Sequence, residues 1–422
     1  MQSIRGVRDV LPEEARRWRA VEQALRECLL GSGYEEIHLP LLEFTELFSR
    51  GVGEATDIVE KEMYTLADRD GESITLRPEG TAGCVRALQQ HGLLYNQTQR
   101  VFYAGEMFRY ERPQKGRYRQ FYQLGAEAFG FPGPDIDAEL IYLGLQFWRS
   151  LGLADHARLE LNNLGSAAAR AAYRDSLVAF LQPRAEQLDA DSQRRLTTNP
   201  LRILDSKDPA TQALLQDAPT LAEFVDNESA ADFADLCELL TTLGVSYELN
   251  PRLVRGLDYY TNAVFEWKTD ALGAQGTICA GGRYDGLVEL LGGRPTPAVG
   301  FAMGIERVIL LHETVHQDAQ YAAAADIYVC VMDAAHQGQV LELAHKLRIA
   351  LPGIRIRTHA GGGKLKNQLK RANQSGARVA MIIGADEIQT NTATLKYLRG
   401  DEPQQSLSIQ RVAEHLQNYF EV

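Results

Sequence analysis

Val101-Phe-Tyr-Ala-Gly-Glu-Met-Phe-Arg-Tyr-Glu-Arg-Pro-Gln-Lys-Gly-Arg-Tyr-Arg-Gln-Phe-Tyr-Gln-Leu-Gly-Ala-Glu127 reads as two alternating segments either side of a Pro, Lys and Gly turn. This is the pattern of a β-hairpin with a mobile basic loop. A side-chain period of two puts Arg109 and Glu111 on one face of the first strand. Gln123 and Glu127 share a face of the second, provided that no bulge intervenes. A charged sheet face is either solvated or binds something, and the hairpin alone leaves both readings open. Recurrence favours binding: Arg77-Pro-Glu-Gly-Thr81 and Arg255-Gly-Leu-Asp-Tyr-Tyr-Thr261 also set acids and arginines beside glycine. Three such clusters converging on one sheet would form a site.

Outward from the hairpin, residues 62–130 alternate Tyr, Phe and Val segments with turn residues, predicting an antiparallel sheet with one buried face. Upstream, Trp18, Val21, Leu25, Cys28 and Leu29 give Glu13–Leu30 a helical spacing that stops at Gly31 and Gly33, and Tyr34–Leu42 reads as a strand. Downstream, about 166–248 turns rich in Ala, Leu and charge, as in Ala167–Leu181 and Leu214–Leu243, and predicts an inserted helical domain. Strand-like patterning returns at Val245–Trp267 and Gly276–Ala280. Ala298–His312 opens with glycines and ends as an apolar helix, with Arg307 in its first turn. Glycines there let backbone approach a ligand, or simply ease strand–helix packing. Val315–Ala325 reads as a linker. Beyond it, apolar runs at Asp326–Met332, Gly353–Thr358 and Arg378–Gly384 alternate with helical patterns at His336–Ala350 and Lys364–Ser375, predicting an α/β module. Two domains are therefore expected, 1–325 and 326–422.

The formal charge of −12 argues against indiscriminate coating of nucleic acid, which needs clustered cations. Two local basic runs, Arg109–Arg119 and Lys364–Arg371, suit a selective partner instead, although the second also reads as a solvated helix face. No run of about 18 apolar residues occurs, and the start, Met1-Gln-Ser-Ile-Arg-Gly, lacks a signal-peptide core. A soluble, non-exported protein is expected. The five cysteines stand singly and the nine histidines show no zinc-type spacing. Ala360-Gly-Gly-Gly-Lys-Leu lacks the first P-loop glycine and the hydroxyl residue after Lys, and Gly51-Val-Gly-Glu-Ala-Thr lacks the third Rossmann glycine. No structural metal is expected; any metal should be Mg²⁺ arriving with phosphates.

Phe108-Arg109-Tyr-Glu111 and Gly300-Phe-Ala-Met-Gly304-Ile-Glu-Arg307 resemble motifs 2 and 3 of class II aminoacyl-tRNA synthetases, and the early helix, strand and Pro40 look like motif 1. Leu253-Val-Arg-Gly-Leu-Asp-Tyr-Tyr-Thr261 and Ala280-Gly-Gly-Arg-Tyr-Asp-Gly-Leu287 resemble the two signatures peculiar to the histidyl-tRNA synthetase family. The likeness runs from Ile4-Arg-Gly-Val-Arg-Asp-Val-Leu-Pro12, through Asn199-Pro-Leu-Arg-Ile-Leu-Asp-Ser-Lys207, to Gly361–Ala372. It departs at Lys364, where the family has a small residue.

The resemblance implies an α+β catalytic domain, its antiparallel sheet flanked by helices, with a helical insertion and a C-terminal α/β anticodon-binding domain. It implies ATP and Mg²⁺, histidine and tRNA(His) as partners, a homodimer, no membrane and a cytoplasmic setting. By the match, Arg109 and Arg255 face the α-phosphate as the catalytic pair, and Glu111, Arg117 and Arg307 join Arg109 on ATP. Glu79, Thr81 and Gln123 take the α-amino group; Glu127, Tyr260, Tyr259 and Tyr284 make the imidazole environment. Arg112, Lys115, Arg117 and Arg119 meet the acceptor end of the tRNA, and Lys364, Lys366, Lys370 and Arg371 the anticodon. A buried acid suits imidazole, because an apolar competitor would leave it unpaired.

Two rivals follow from the same residues. A catalytically idle relative, such as the regulatory subunit of ATP phosphoribosyltransferase, would have lost the ATP arginines, the histidine-family blocks or the C-terminal module, all of which are present. A plain RNA-binding module needs no buried acid cluster and sits poorly with the negative charge.

Overall fold

The computed structural model describes residues 1–53, 56–317 and 323–421, without the side chains of residues 205 and 274. The stretch Gly51–Thr56 and the linker expected at Val315–Ala325 thus lie partly outside the described residues. The chain forms two compact units, Met1–Ala319 and Gln320–Val422.

The first unit is built on an eight-stranded, mainly antiparallel sheet. Its order is Glu35–Glu36, Gln99–Phe108, Gln120–Phe129, Ala298–Gly304, Thr277–Arg283, Thr261–Lys268, Arg158–Asn163 and Tyr247–Leu249, with only the two outermost pairings parallel. The hairpin register is unbroken from Gln99↔Phe129 to Phe108↔Gln120, and the next pair runs without a shift from Ala298↔Phe129 to Gly304↔Gln123. No bulge intervenes, so Gln123 and Glu127 do share a face.

Alternation decides what each face meets. Leu124, Ala126, Ala128, Phe265, Val299 and Phe301 enter one core, against Pro12–Gly31, Asp135–Ser150, Asn227–Thr242 and Ile305–Val315. Tyr103, Phe129, Val264 and Ala298 enter the other, with Thr81–Gln90 and Ala167–Leu181. The first helix shows how its sequence specifies it. Pro12 stands in the first turn, Glu13 and Glu14 face the positive end of the dipole, and Val21, Leu25 and Leu29 recur every fourth residue and are buried.

Three expectations are corrected. Tyr34–Leu42 is not one strand: Glu35–Glu36 joins the large sheet and Leu42–Phe44 joins a separate three-stranded sheet with Tyr64–Ala67 and Ser73–Leu76. Pro40 lies between them and cannot donate a ladder hydrogen bond. Val245–Trp267 is interrupted from 250 to 260. Arg109 and Glu111 do not share a strand face, since the strand ends at Phe108 and the Glu111 N–H turns back to the Arg109 carbonyl at 2.8 Å.

In the second unit the sheet order is Ile356–Thr358, Ile327–Val331, Val379–Ile383, Thr392–Tyr397 and Gln405–Ser408. The first three are parallel and the last two antiparallel. Gln337–Ala350, Leu365–Gln374 and Ile409–Phe420 are its longer helices.

Candidate active site

A cleft of about 880 Å³ opens over the sheet face that carries Gln123. Its lining includes Glu79, Thr81, Arg109, Glu111, Arg117, Gln123, Arg255, Tyr259, Tyr260 and Arg307. All three acid-and-arginine clusters therefore meet, together with Arg307 from the helix that begins after Gly304.

The arginines are held by backbone and acids. Arg109 donates Nε to the Pro78 carbonyl (2.8 Å) and its guanidinium lies 5.2 Å from the Phe121 ring. Arg307 donates to the carbonyls of Thr277 (2.9 Å) and Gly116 (3.3 Å). Arg117 is paired with Glu111, and Arg255 with Glu266, its guanidinium 5.4 Å from the Tyr260 ring. Burial lowers the pKa of Arg109, Arg117 and Arg307. Mutual repulsion adds to it: Arg255 acts on Arg109, Arg109 on Arg117, and both Arg117 and Arg109 on Arg307. Burial works against Arg255 most strongly, but Glu266, Tyr260 and Tyr259 together outweigh it and hold that pKa above its ordinary value. Four guanidinium groups in one cleft, three of them held below their ordinary pKa by burial and by their neighbours, call for a polyanion.

The other part of the cleft is built for a smaller, polar ligand. Glu79 spends its carboxylate on the helix Thr81–Gln90, accepting from the N–H groups of Thr81 (2.7 Å) and Ala82 (2.9 Å), while burial raises its pKa. Gln123 is nearly buried, and its Oε1 has no hydrogen-bond partner. A buried acceptor left unpaired costs on the order of 1–3 kcal/mol, so a ligand donor there would be favoured.

Glu127 and Tyr284 lie beneath the cleft rather than on its wall. Glu127, 1% exposed, accepts hydroxyls from Thr81 (2.7 Å), Tyr103 (3.1 Å) and Tyr284 (2.5 Å). Burial, reinforced by Glu79, pushes its pKa up to about 8. The rings of Tyr259, Tyr260 and Tyr284 close around it, with centroids 4.7, 5.5 and 6.4 Å apart. Gly300 stands directly opposite Glu127 on the neighbouring strand, and a Cβ there would overlap its carboxylate.

Of the remaining basic residues, Arg112 and Lys115 are exposed on the hairpin turn. Arg119 stacks on Tyr110 at 3.7 Å and donates Nε to the Glu111 carbonyl. In the second unit Lys364, Lys366, Lys370 and Arg371 are all exposed. Lys364 is the N-cap of the helix Leu365–Gln374 and Lys366 stands in its first turn. Cations there oppose the helix dipole, which points away from a purely stabilising role.

Sequence reasoning missed Tyr103, Glu266 and Glu306. The first two could have been read from alternation, since Tyr103 precedes Gly105 and Met107 on the site face of the hairpin. Glu306, pushed up to about 7 by burial, accepts from the Tyr122 N–H at 2.9 Å, a contact that no local pattern announces. Among the described residues no group of three His, Cys, Asp or Glu is placed to hold a metal.

A family model described as histidyl-tRNA synthetase matches residues 6–308, and one described as an anticodon binding domain matches 326–419. The crystal structure of apo histidyl-tRNA synthetase from S. aureus is similar to this chain with a TM-score of 0.82 and 34% identity, over 98% of this chain and 99% of that one. A histidyl-tRNA synthetase structure from Nostoc matches at 0.72 and 20% identity, covering 99% of each chain. A structure titled ATP phosphoribosyltransferase regulatory subunit/histidyl-tRNA synthetase, from Bacillus halodurans, matches at 0.65 and 23%, over 91% of this chain and 98% of that one. The last two speak to fold alone.

Proposed function

From the premise that the chain belongs to the histidyl-tRNA synthetase family, we infer how its residues divide the work of charging tRNA(His). It is a histidine–tRNA ligase of class II: histidine is activated with ATP to the adenylate and transferred to the tRNA, releasing AMP and diphosphate. The observation that carries the assignment of roles is the crowding of Arg109, Arg117, Arg255 and Arg307 in one cleft with an unpaired Gln123 and a hydroxyl-bound Glu127 beside them.

In the first step an oxygen of the histidine carboxylate attacks the α-phosphorus and the bond to diphosphate breaks. Charge builds on phosphate oxygens, so fixed cations are the main requirement. Arg109 and Arg255 serve there, with Glu111 and Arg307 on ATP and Arg117 on its phosphate tail. In the second step a hydroxyl of the terminal ribose attacks the adenylate carbonyl and AMP leaves. Gln123, Thr81 and Glu79 take the α-amino group; Glu127 and the tyrosines Tyr259, Tyr260 and Tyr284 take the imidazole. Magnesium enters with ATP, carried on its phosphates.

We assign residues 1–325 to catalysis, with the insertion at about 166–248, and 326–422 to the anticodon. Arg112, Lys115, Arg117 and Arg119 would reach the acceptor end. Replacing Lys364, Lys366, Lys370 and Arg371 together by alanine is expected to lower kcat/KM for tRNA roughly tenfold or more and to flatten its salt dependence. Histidine-dependent ATP–pyrophosphate exchange should be unchanged. Equal charging by both proteins would remove these four from the tRNA track.

A homodimer is supported by one face of the three-stranded sheet. Register places Leu42, Leu76 and Tyr64 in one row and Phe44, Ile74 and Leu66 in the next, and Phe44 is 59% exposed and Leu66 45%. Such a patch is costly in water and suits a two-fold partner. Phe44→Asp with Leu66→Asp should shift the protein from dimer to monomer in sedimentation; an unmoved sedimentation coefficient would place the interface elsewhere. The five free cysteines and the coupling of charging to translation support a cytoplasmic setting. No helix among the described residues is long and apolar enough to cross a membrane.

A further inference from the structure

Tyr103 is 1% exposed and does not line the cleft; its hydroxyl points to the Glu127 carboxylate. A phenylalanine would fill the same space. Its hydroxyl must nevertheless be satisfied, because a buried hydroxyl without a partner is unfavourable by about 1–3 kcal/mol. Its proton goes to Glu127 Oε1 at 3.1 Å, with Thr81 Oγ1 beside it at 3.5 Å. Thr81 itself donates to the same Oε1 at 2.7 Å, whereas Tyr284 alone occupies Oε2. The carboxylate is therefore asymmetric, with one oxygen doubly bound and the other singly bound.

The ring reaches this position through a gap kept open from two separate elements. A Cβ at Gly80, beside Thr81, or at Gly125, two residues before Glu127, would overlap the Tyr103 ring. The glycine of the Arg77–Thr81 block and a glycine of the second hairpin strand are thus both used to admit one tyrosine.

We propose that Tyr103 is a positioning residue for histidine selection, fixing the Glu127 carboxylate through Oε1 so that Oε2, with its remaining lone pair, is the oxygen offered to the substrate ring. This rests on the reading of Glu127 as the imidazole partner. Without the phenol, the carboxylate is held by Thr81 and Tyr284 alone and can rotate between them. Tyr103 also favours the ionised carboxylate, as a donor to it.

The test compares Tyr103→Phe with wild type in ATP–pyrophosphate exchange, and Glu127→Gln is measured alongside. Tyr103→Phe is expected to raise the KM for histidine five- to tenfold, with kcat and the KM for ATP within twofold. The limb of the kcat/KM profile for histidine that reports Glu127 should move to higher pH. A histidine KM and pH profile matching wild type, with or without a lower melting temperature, would overturn the proposal and leave Tyr103 a packing residue. If Glu127→Gln raises the histidine KM while Tyr103→Phe does not, only the positioning role fails. If neither variant does, the reading of Glu127 fails with it.

Discussion

Arg255→Ala is expected to lower histidine-dependent ATP–pyrophosphate exchange by roughly a thousandfold, the scale of removing one fixed electrostatic stabiliser of a charged transition state, while histidine binding changes little. Arg255 is paired with Glu266, its Nε has no hydrogen-bond partner, and it lies close enough to Arg109 to depress it. It is thus held in place by one acid and still short of an acceptor, as befits a group that meets charge only when substrate arrives. The substitution also strands Glu266, which retains Thr277 (3.1 Å) and Lys268 (3.5 Å). Some loss of stability should accompany the loss of rate, and Arg255→Ala with Glu266→Gln should recover the melting temperature without recovering exchange. Exchange within tenfold of wild type would remove Arg255 from the reacting phosphate.

Glu127→Gln should lower kcat/KM for histidine about a hundredfold and leave the KM for ATP within twofold, as expected when a buried partner is mismatched. It carries a second, opposite signature in the protein without ligand. The folded-state pKa of Glu127 stands near 8 because of burial, against about 4.3 for an unstrained glutamate. Between these values the folded chain holds a proton that the unfolded chain releases. The stability contribution is thus fully present below about pH 4.3 and is lost as pH rises through 8, by up to about 1.4 kcal/mol per unit. Glutamine does not titrate, so the variant should gain on wild type in melting temperature from pH 5 to pH 8. A difference constant with pH would show that Glu127 is ionised throughout.

Much of this was legible in the chain because alternation reports local geometry directly. The hairpin of 99–129 shows its site face by period two, and Ala167–Leu181 and His336–Ala350 show helical spacing; the structure places helices at Ala167–Leu181 and Gln337–Ala350. What escaped was structure settled by distant partners. Glu35–Glu36 is a strand only because it pairs with Val101 and Phe102, and Thr392–Tyr397 buries Ala393, Leu395 and Tyr397, with Ala393 too small to signal a strand. At the site, residue types and clusters were readable, while their convergence was only a condition that the sheet order then met. The layering was not: that Glu127 lies beneath the wall, bound by three hydroxyls, depends on side chains from three separate segments. Nor could spacing reveal that Glu79 caps a helix with both its oxygens.

Activation of histidine in this cleft is read out by ATP–pyrophosphate exchange with each standard amino acid, with and without tRNA. Exchange with histidine alone, present without tRNA, is the predicted result. Tight histidine binding with no exchange would contradict it and mark the chain as a binding relative on the same fold.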